Sequence, residues 1–213
     1  TIAAYTKAVA YSISDVSANA LGATADAYNE AINITITNDT TYAKAKAIED
    51  ATNSGTITFT INDTSALIAA GVTGDVAVIN AATTIVANSN ATFAEATTMS
   101  GIAKAIVYSI SDTQANIPGS TTAAINEAVN ITITDDVTFA QAKIIDDGSN
   151  SGSNTYDIND TATHLAAGTI TSVNALNGAG TVTASSIATA VEASKLAGIS
   201  KAVGFSISDT AAN

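Results

Sequence analysis

The chain contains an internal repeat with a period of 97 residues, and this repeat limits the folds that it can adopt. The pentapeptide YSISD at residues 11–15 recurs at 108–112 and, as FSISD, at 205–209. With the same shift, NITIT at 33–37 recurs at 130–134, and no gap is needed to align the copies. Self-similarity at a fixed period is typical of proteins built from stacked units, so we expect a repeat architecture.

The period divides the 213 residues into a partial repeat at 1–19 and two full repeats at 20–116 and 117–213. Because the repeats follow one another without a gap, we expect one continuous array, in which each unit packs against its neighbours. The pattern is in progress at both ends of the sequence, so we also expect this array to be part of a longer chain.

Each period contains a second, weaker form of the motif. FTIND at 59–63 and YDIND at 156–160 each lie 48 residues after a YSISD segment. Further strand-like segments lie between these motifs, at 34–37, 84–87, 131–134 and 181–183. The elementary unit is therefore about 24 residues long, and nine strand-like segments fit in the chain.

Each unit joins a short run of alternating β-branched and polar residues to an Ala-rich stretch with helical spacing. This pattern indicates a strand followed by a helix. A strand, a helix and a second strand in so short a span form a parallel β-α-β unit, and such crossovers are right-handed. We therefore predict an α/β fold, a right-handed parallel solenoid of about nine strand–helix units. The alternatives are a β-solenoid, in which the Ala-rich stretches coil without forming helices, and a pair of doubly wound domains.

Glycines mark the ends of many Ala-rich stretches. They are Gly55, Gly71, Gly101, Gly152, Gly168 and Gly198. Because helices commonly end at a glycine with positive φ, we expect that backbone conformation at these positions.

The strand runs predict one buried and one polar sheet face. Ile34 and Ile36 alternate with Thr35 and Thr37, and the other strand-like segments repeat this alternation. Since successive side chains of a strand point to opposite faces, the isoleucines are expected in the core and the hydroxyls on the other face. That polar face is interpreted first as a solvated surface. The alternatives are a flat surface that binds polysaccharide or ice, and a surface that pairs with another copy.

Aspartates form a column at the ends of the strand-like segments. They are Asp15, Asp39, Asp63, Asp112, Asp136, Asp160 and Asp209. An aspartate just before a helix accepts hydrogen bonds from backbone amides that lack partners, so helix capping is the first interpretation of the column. Calcium binding is the alternative, because regularly spaced oxygen ligands suit a hard cation. The chain needs no cofactor under the first interpretation and binds calcium under the second.

Composition excludes several classes of function. Seven Lys and no Arg stand against nineteen acidic residues, giving a net charge of -12, so nucleic acid is not an expected partner. No apolar run approaches the ~20 residues of a membrane span, and the absence of Cys excludes disulfides and thiolate metal sites. No catalytic motif is present, so we predict that the chain is not an enzyme. The one histidine, His164, replaces the Asn or Leu of other repeats, and we interpret it as sequence drift.

The element YSISD-(T)-x-A-N at 11–19, 108–116 and 205–213 resembles tandem repeats of very large secreted and cell-surface proteins of cyanobacteria and other bacteria. The resemblance implies an exported structural or adhesive protein, often secreted by a type I system and often associated with calcium. We therefore expect a structural module of an extracellular fibre, sheath, surface layer or giant adhesin. Its expected partners are neighbouring repeats or further copies of itself. The alternative is a ligand-binding module whose Ser/Thr face recognises a glycan or ice.

Overall fold

The structure, a computed structural model, describes residues 9–210. Residues 1–8 of the partial first repeat and residues 211–213 of the last repeat lie outside the described residues. The chain divides into two compact units. The first contains the described residues up to Asn90 together with Thr98–Tyr108, and the second contains Ala91–Thr97 and the residues from Ser109 onward.

The first unit alternates strands with helices. Its elements are β1 (Ile13–Asp15), α1 (Ser17–Gly22), α2 (Ala25–Asn29), β2 (Ile34–Thr40), α3 (Tyr42–Glu49), β3 (Ile57–Asp63), α4 (Ser65–Gly74), α5 (Val76–Ala81) and β4 (Ile85–Ala87). Helix α6 (Phe93–Met99) follows in the chain, and its residues 93–97 are assigned to the second unit. The four strands form one parallel sheet in the order β1-β2-β3-β4, so each strand lies beside the next one in the chain.

The second unit continues the same alternation. Its elements are β5 (Ile110–Asp112), a 3-10 helix (Gln114–Gly119), α7 (Thr122–Glu127), β6 (Ile131–Ile133), α8 (Phe139–Asp146), β7 (Asn154–Thr155), β8 (Ile158–Asp160), α9 (Ala162–Thr171), α10 (Val173–Gly178), β9 (Val182–Ala184), α11 (Ala190–Leu196) and β10 (Val203–Gly204). The strands form two parallel three-stranded sheets, with the orders β5-β6-β7 and β8-β9-β10.

The α/β class and the parallel strands are confirmed. The Ala-rich stretches form helices, whereas the β-solenoid alternative would leave them as coil. Strand order follows the chain within each sheet, without the reversal that defines a doubly wound sheet. The strand-like segment at 156–160 contributes only β8, which pairs with β9, while the separate short strand β7 just before it pairs with β6.

The predicted alternation of buried and exposed residues holds in the central strands. Ile34 pairs with Ile13 on one side and Ile57 on the other, and its side chain is fully buried. Thr35, the next residue, is exposed. In the second unit Ile131 is buried beside Ile110. Ile13 and Ile57 are only half-buried, and Ile207 is 57% exposed.

The glycine expectation is wrong, since no glycine among residues 9–210 has a positive φ. Gly71 lies within α4 against the ring of Tyr42, and a Cβ there would come within 2.5 Å of a ring carbon. Gly168, one period later, lies within α9 against the ring of Phe139, where the corresponding distance is 2.6 Å. These glycines are required by the close approach of an aromatic side chain and not by backbone conformation.

No helix in the described part of the chain is long and apolar enough to span a membrane.

Candidate functional site

Each of four residues of the aspartate column joins two successive repeat units, the strand–helix units of about 24 residues. In the paragraphs that describe these contacts, 'unit' means such a repeat unit and not one of the two compact units. Asp63 is the last residue of β3: its Oδ1 accepts the N–H of Thr64 at 2.8 Å, and its Oδ2 accepts the N–H of Tyr42 at 3.0 Å. Tyr42 is the first residue of α3, which precedes β3 in the chain. Because the first N–H groups of a helix have no partner within it, the carboxylate stabilises the helix of the preceding unit.

The same two-oxygen geometry recurs at three further aspartates of the column. Their Oδ2 atoms accept the N–H of the first residues of α6, α8 and α11, and the pairs are Asp112 with Phe93 (2.9 Å), Asp160 with Phe139 (2.9 Å) and Asp209 with Ala190 (2.7 Å). Their Oδ1 atoms accept the N–H of the following residue. We call each bond from the first N–H of a helix to a side-chain oxygen of the next unit an amide clip.

Residues that the sequence analysis did not select form further amide clips. They are Asn38 with the N–H of Ser17 (2.8 Å), Ser89 with that of Ser65 (3.0 Å), Asp135 with that of Gln114 (2.7 Å) and Ser186 with that of Ala162 (2.9 Å). The acceptors keep the 97-residue period, since Asn38 corresponds to Asp135 and Ser89 to Ser186. A comparison of polar residues 97 residues apart would therefore have identified these acceptors from the sequence.

The helices that follow Asp63 and Asp160 are each capped by a threonine. Thr64 Oγ1 accepts the N–H of Leu67 at 3.4 Å, and Thr161 Oγ1 accepts the N–H of His164 at 3.3 Å. The threonine thus caps the helix of its own unit, and the aspartate before it caps the helix of the preceding unit.

Asp39, Asp136 and Asp15 have other partners. Asp39 lies within β2 opposite Thr60, whose Oγ1 donates to its Oδ1 at 2.8 Å. That hydrogen bond and a second from Asn62 lower the pKa of Asp39. Asp136 accepts a hydrogen bond from Asn159 at 3.3 Å. The structure therefore distributes the column over several local environments.

Asp15 accepts hydrogen bonds from the N–H of Val16 at 2.7 Å and from Asn19 Nδ2 at 2.9 Å, both through Oδ1.

His164 occupies a position with a defined role. Its Nδ1 lies 2.8 Å from Oδ1 of Asp160, four residues earlier. At the equivalent place Asn116 Nδ2 donates to Oδ1 of Asp112, also at 2.8 Å. The histidine thus keeps a hydrogen-bonding position beside the clip carboxylate, which drift alone would not require.

Substitution of Asp160 tests the contribution of a clip. Burial raises the pKa of Asp160, but the hydrogen bonds from His164, Phe139 and Thr161 outweigh burial and lower it. We expect Asp160→Asn to reduce the free energy of unfolding at pH 7 by about 1–3 kcal/mol, because a buried N–H loses its charged acceptor. Since the pKa is lower in the folded state, this stabilisation exists above the unfolded pKa and disappears as the pH falls through the folded pKa.

Urea denaturation of the wild type and Asp160→Asn at neutral and acidic pH measures this effect. Asp136→Asn is the matched control, because the same change is made at an exposed carboxylate with a single hydrogen bond. Equal losses of stability in the two variants, or a difference that does not shrink at acidic pH, would contradict a specific role for the clip.

Chelation tests the calcium interpretation. N–H groups already donate to both oxygens of the four clip aspartates of the column, and residues 9–210 contain no group of three or more Asp, Glu or His placed to hold a metal ion. We therefore expect EDTA to leave the Tm unchanged. A Tm lowered by more than a few degrees and restored by calcium would show that the column binds the cation.

The second of the two compact units contains a shallow cavity of about 200 Å³, lined by Thr122, Ile125, Asn126, Ile144, Asp147 and Gly148. Asn126 Oδ1 accepts the N–H of Ser149, and Asp147 is paired with Lys143. These polar groups are thus engaged in local structure.

Comparison of the chain with protein-family models, with curated proteins and with solved structures gives no match. The candidate site is defined by its own geometry as a periodic set of hydrogen bonds between successive units.

Proposed function

We propose that the chain is a structural repeat module of an extracellular bacterial fibre, sheath, surface layer or giant adhesin, and that its units form one continuous right-handed solenoid. The amide clips carry this proposal. They tie the starts of eight helices, one of them the 3-10 helix, to the repeat unit that follows, which suits a protein built from successive units. Under this proposal the chain is not an enzyme, and its partners are adjoining repeats or other copies of itself.

The regular pairing of strands supports the same conclusion. Consecutive strands are neighbours within each sheet, and their isoleucines continue from one strand to the next. Each unit thereby completes the core of its neighbour, as expected in an array stabilised by nearest-neighbour contacts.

A glycan- or ice-binding module is the second candidate, and one observation favours it. Ser14, Thr35 and Thr58 lie in register on three adjacent strands, which gives a row of hydroxyls across the sheet. The aromatic side chains of residues 9–210 are all buried or half-buried, so they offer no exposed ring for a sugar to stack on. The structural role is therefore the better supported of the two.

Electron microscopy of the purified chain tests the proposal, with light scattering on the same samples. We expect filaments or sheets, more abundant at high salt or in millimolar calcium, because the net charge of -12 opposes association when screening is weak. Dispersed particles under all of these conditions, combined with binding to an insoluble polysaccharide or to ice, would replace the proposal with the second candidate.

A further inference from the structure

The cavity of the second compact unit is lined by α7 and by the C-terminal end of α8. It has one buried and one accessible apolar wall, since Ile125 is 3% exposed and Ile144 is 42% exposed. An apolar cavity of ~150 Å³ accommodates benzene, so a cavity of about 200 Å³ has room for a small organic molecule.

The polar residues of this cavity also occur in the first repeat. Asn126 corresponds to Asn29, and Asp147 corresponds to Asp50. Both asparagines accept a backbone N–H through Oδ1, and both aspartates pair with the lysine four residues earlier. These contacts are therefore common to the two repeats and serve the fold.

The apolar residues of the cavity differ between the repeats. Where the second repeat has Ile125, Ile144 and Gly148, the first has Tyr28, Ala47 and Ala51. The first repeat thus buries an aromatic ring, 9% exposed, at the position of Ile125. A Cβ at Gly148 would overlap Ile125, so glycine lets this isoleucine lie against the backbone. The apolar wall of the cavity is therefore specific to the second repeat.

The local contacts leave part of the polar lining available to a ligand. Within residues 9–210, three side-chain atoms at the cavity have no hydrogen-bond partner, namely Thr122 Oγ1, Asn126 Nδ2 and Asp147 Oδ1. A hydroxyl, an amide donor and a carboxylate oxygen thus accompany the two isoleucines. A small number of polar groups on an apolar lining is typical of sites for small molecules.

The charge around the cavity is negative. Asp147 directly follows Asp146, and burial raises the pKa of Asp146 while the charge of Asp147 raises it further. Lys143 is bound to the other oxygen of Asp147. The C-terminal end of α8 adds the partial negative charge of its free carbonyl groups, which favours a cation.

We infer that this cavity binds a small organic cation, a primary ammonium group on a short apolar chain. The ammonium group donates to Asp147 Oδ1 and to Thr122 Oγ1, and the chain packs against Ile125 and Ile144. The apolar walls offer no ligands to a metal ion, and the carboxylate opposes an anion. The inference goes beyond the proposed structural function, because it does not depend on assembly.

Titration with n-butylammonium chloride at low salt tests the inference, with sodium chloride as the ionic-strength control. Binding is followed by the NMR signal of the Asn126 side-chain amide. We expect saturable, millimolar binding, and binding of the uncharged n-butanol that is weaker by about tenfold or more, as the loss of a charged hydrogen bond allows. In the same assay, cadaverine and an Nα-acetylated lysine amide distinguish a free diamine from a lysine side chain as the source of the ammonium group.

Asp147→Asn removes the carboxylate, and we expect it to weaken n-butylammonium binding by about tenfold or more. Asp50→Asn is the matched control, because it makes the same change at the equivalent position of the first repeat, beside an equivalent lysine. We expect this control to leave the affinity unchanged. Circular dichroism establishes that both variants are folded.

A third variant separates the cavity from its surface charge. Ile125→Tyr/Ile144→Ala/Gly148→Ala restores the three residues of the first repeat and keeps Asp147, and we expect it to abolish binding. Binding equal to that of the wild type would assign the cation to exposed carboxylates and overturn the site. Unchanged affinity in Asp147→Asn, equal binding of n-butanol, or no saturable binding would also overturn it. Each of these results leaves the structural function standing, since filament formation is measured separately.

Discussion

Ile34→Asp is expected to lower the free energy of unfolding by about 4 kcal/mol or more, because it places a carboxylate in a buried site with no partner for its charge. Ile34 is fully buried, and strands pair with it on both sides. At neutral pH we expect a largely unfolded chain or a strongly reduced urea midpoint.

Thr35→Asp is the matched control for this change. It introduces the same charge one residue later, on the exposed face of the same strand, between Ser14 and Thr58. We expect a cost within about 1 kcal/mol, as for most surface substitutions. Circular dichroism with urea denaturation compares the two variants, and similar losses of stability would refute the assignment of the buried and polar faces.

Gly152→Ala is expected to destabilise the chain by about 3 kcal/mol through a backbone clash. A Cβ at this position would lie 2.5 Å from Val129 O and would also overlap Asn130 Oδ1. The neighbouring segment cannot move away freely, because Asn130 Oδ1 accepts the N–H of Ser153 at 3.0 Å. Relief of the clash therefore requires the loss of this hydrogen bond or a shift of the strand.

Gly74→Ala provides the comparison for Gly152→Ala. Gly74 is the last residue of α4, and a Cβ there meets no atom within 4 Å. We expect no loss, and a gain of up to about 1 kcal/mol, because alanine restricts the unfolded chain more than glycine does. Thermal unfolding of both variants measures the contrast, and a stable Gly152→Ala would show that the two segments are less tightly packed than described.

The sequence was sufficient to predict the parallel α/β arrangement and the buried faces of the central strands. Both depend on short-range patterns, namely the alternation in segments such as Ile34 to Thr37 and the Ala-rich stretches between strands. The aspartate column was also visible, since its members share one place in the repeat. These features could be predicted because they require no knowledge of which distant residues meet.

The amide clips could not be predicted in the same way, because their partners are 19–24 residues apart and depend on strand register. In β2 the register shifts between Thr35 and Asp39 relative to β3. Asn38 then reaches the N–H of Ser17, and Asp39 turns to Thr60 instead. The role of Gly71 was missed for a similar reason, since the ring that excludes its Cβ belongs to Tyr42 in the preceding helix.

The amide clips make each repeat unit depend on the unit that follows it in the chain, and not on the unit before it. Each clip runs from the helix of one unit to a side chain of the next, so a unit relies for its helix start on the unit that comes after it. Deletion of a unit would leave the preceding helix without its acceptor, whereas the following unit would keep its own helix start. Insertions and deletions of whole periods, which restore every donor to an equivalent acceptor, are the length changes that such an array tolerates best.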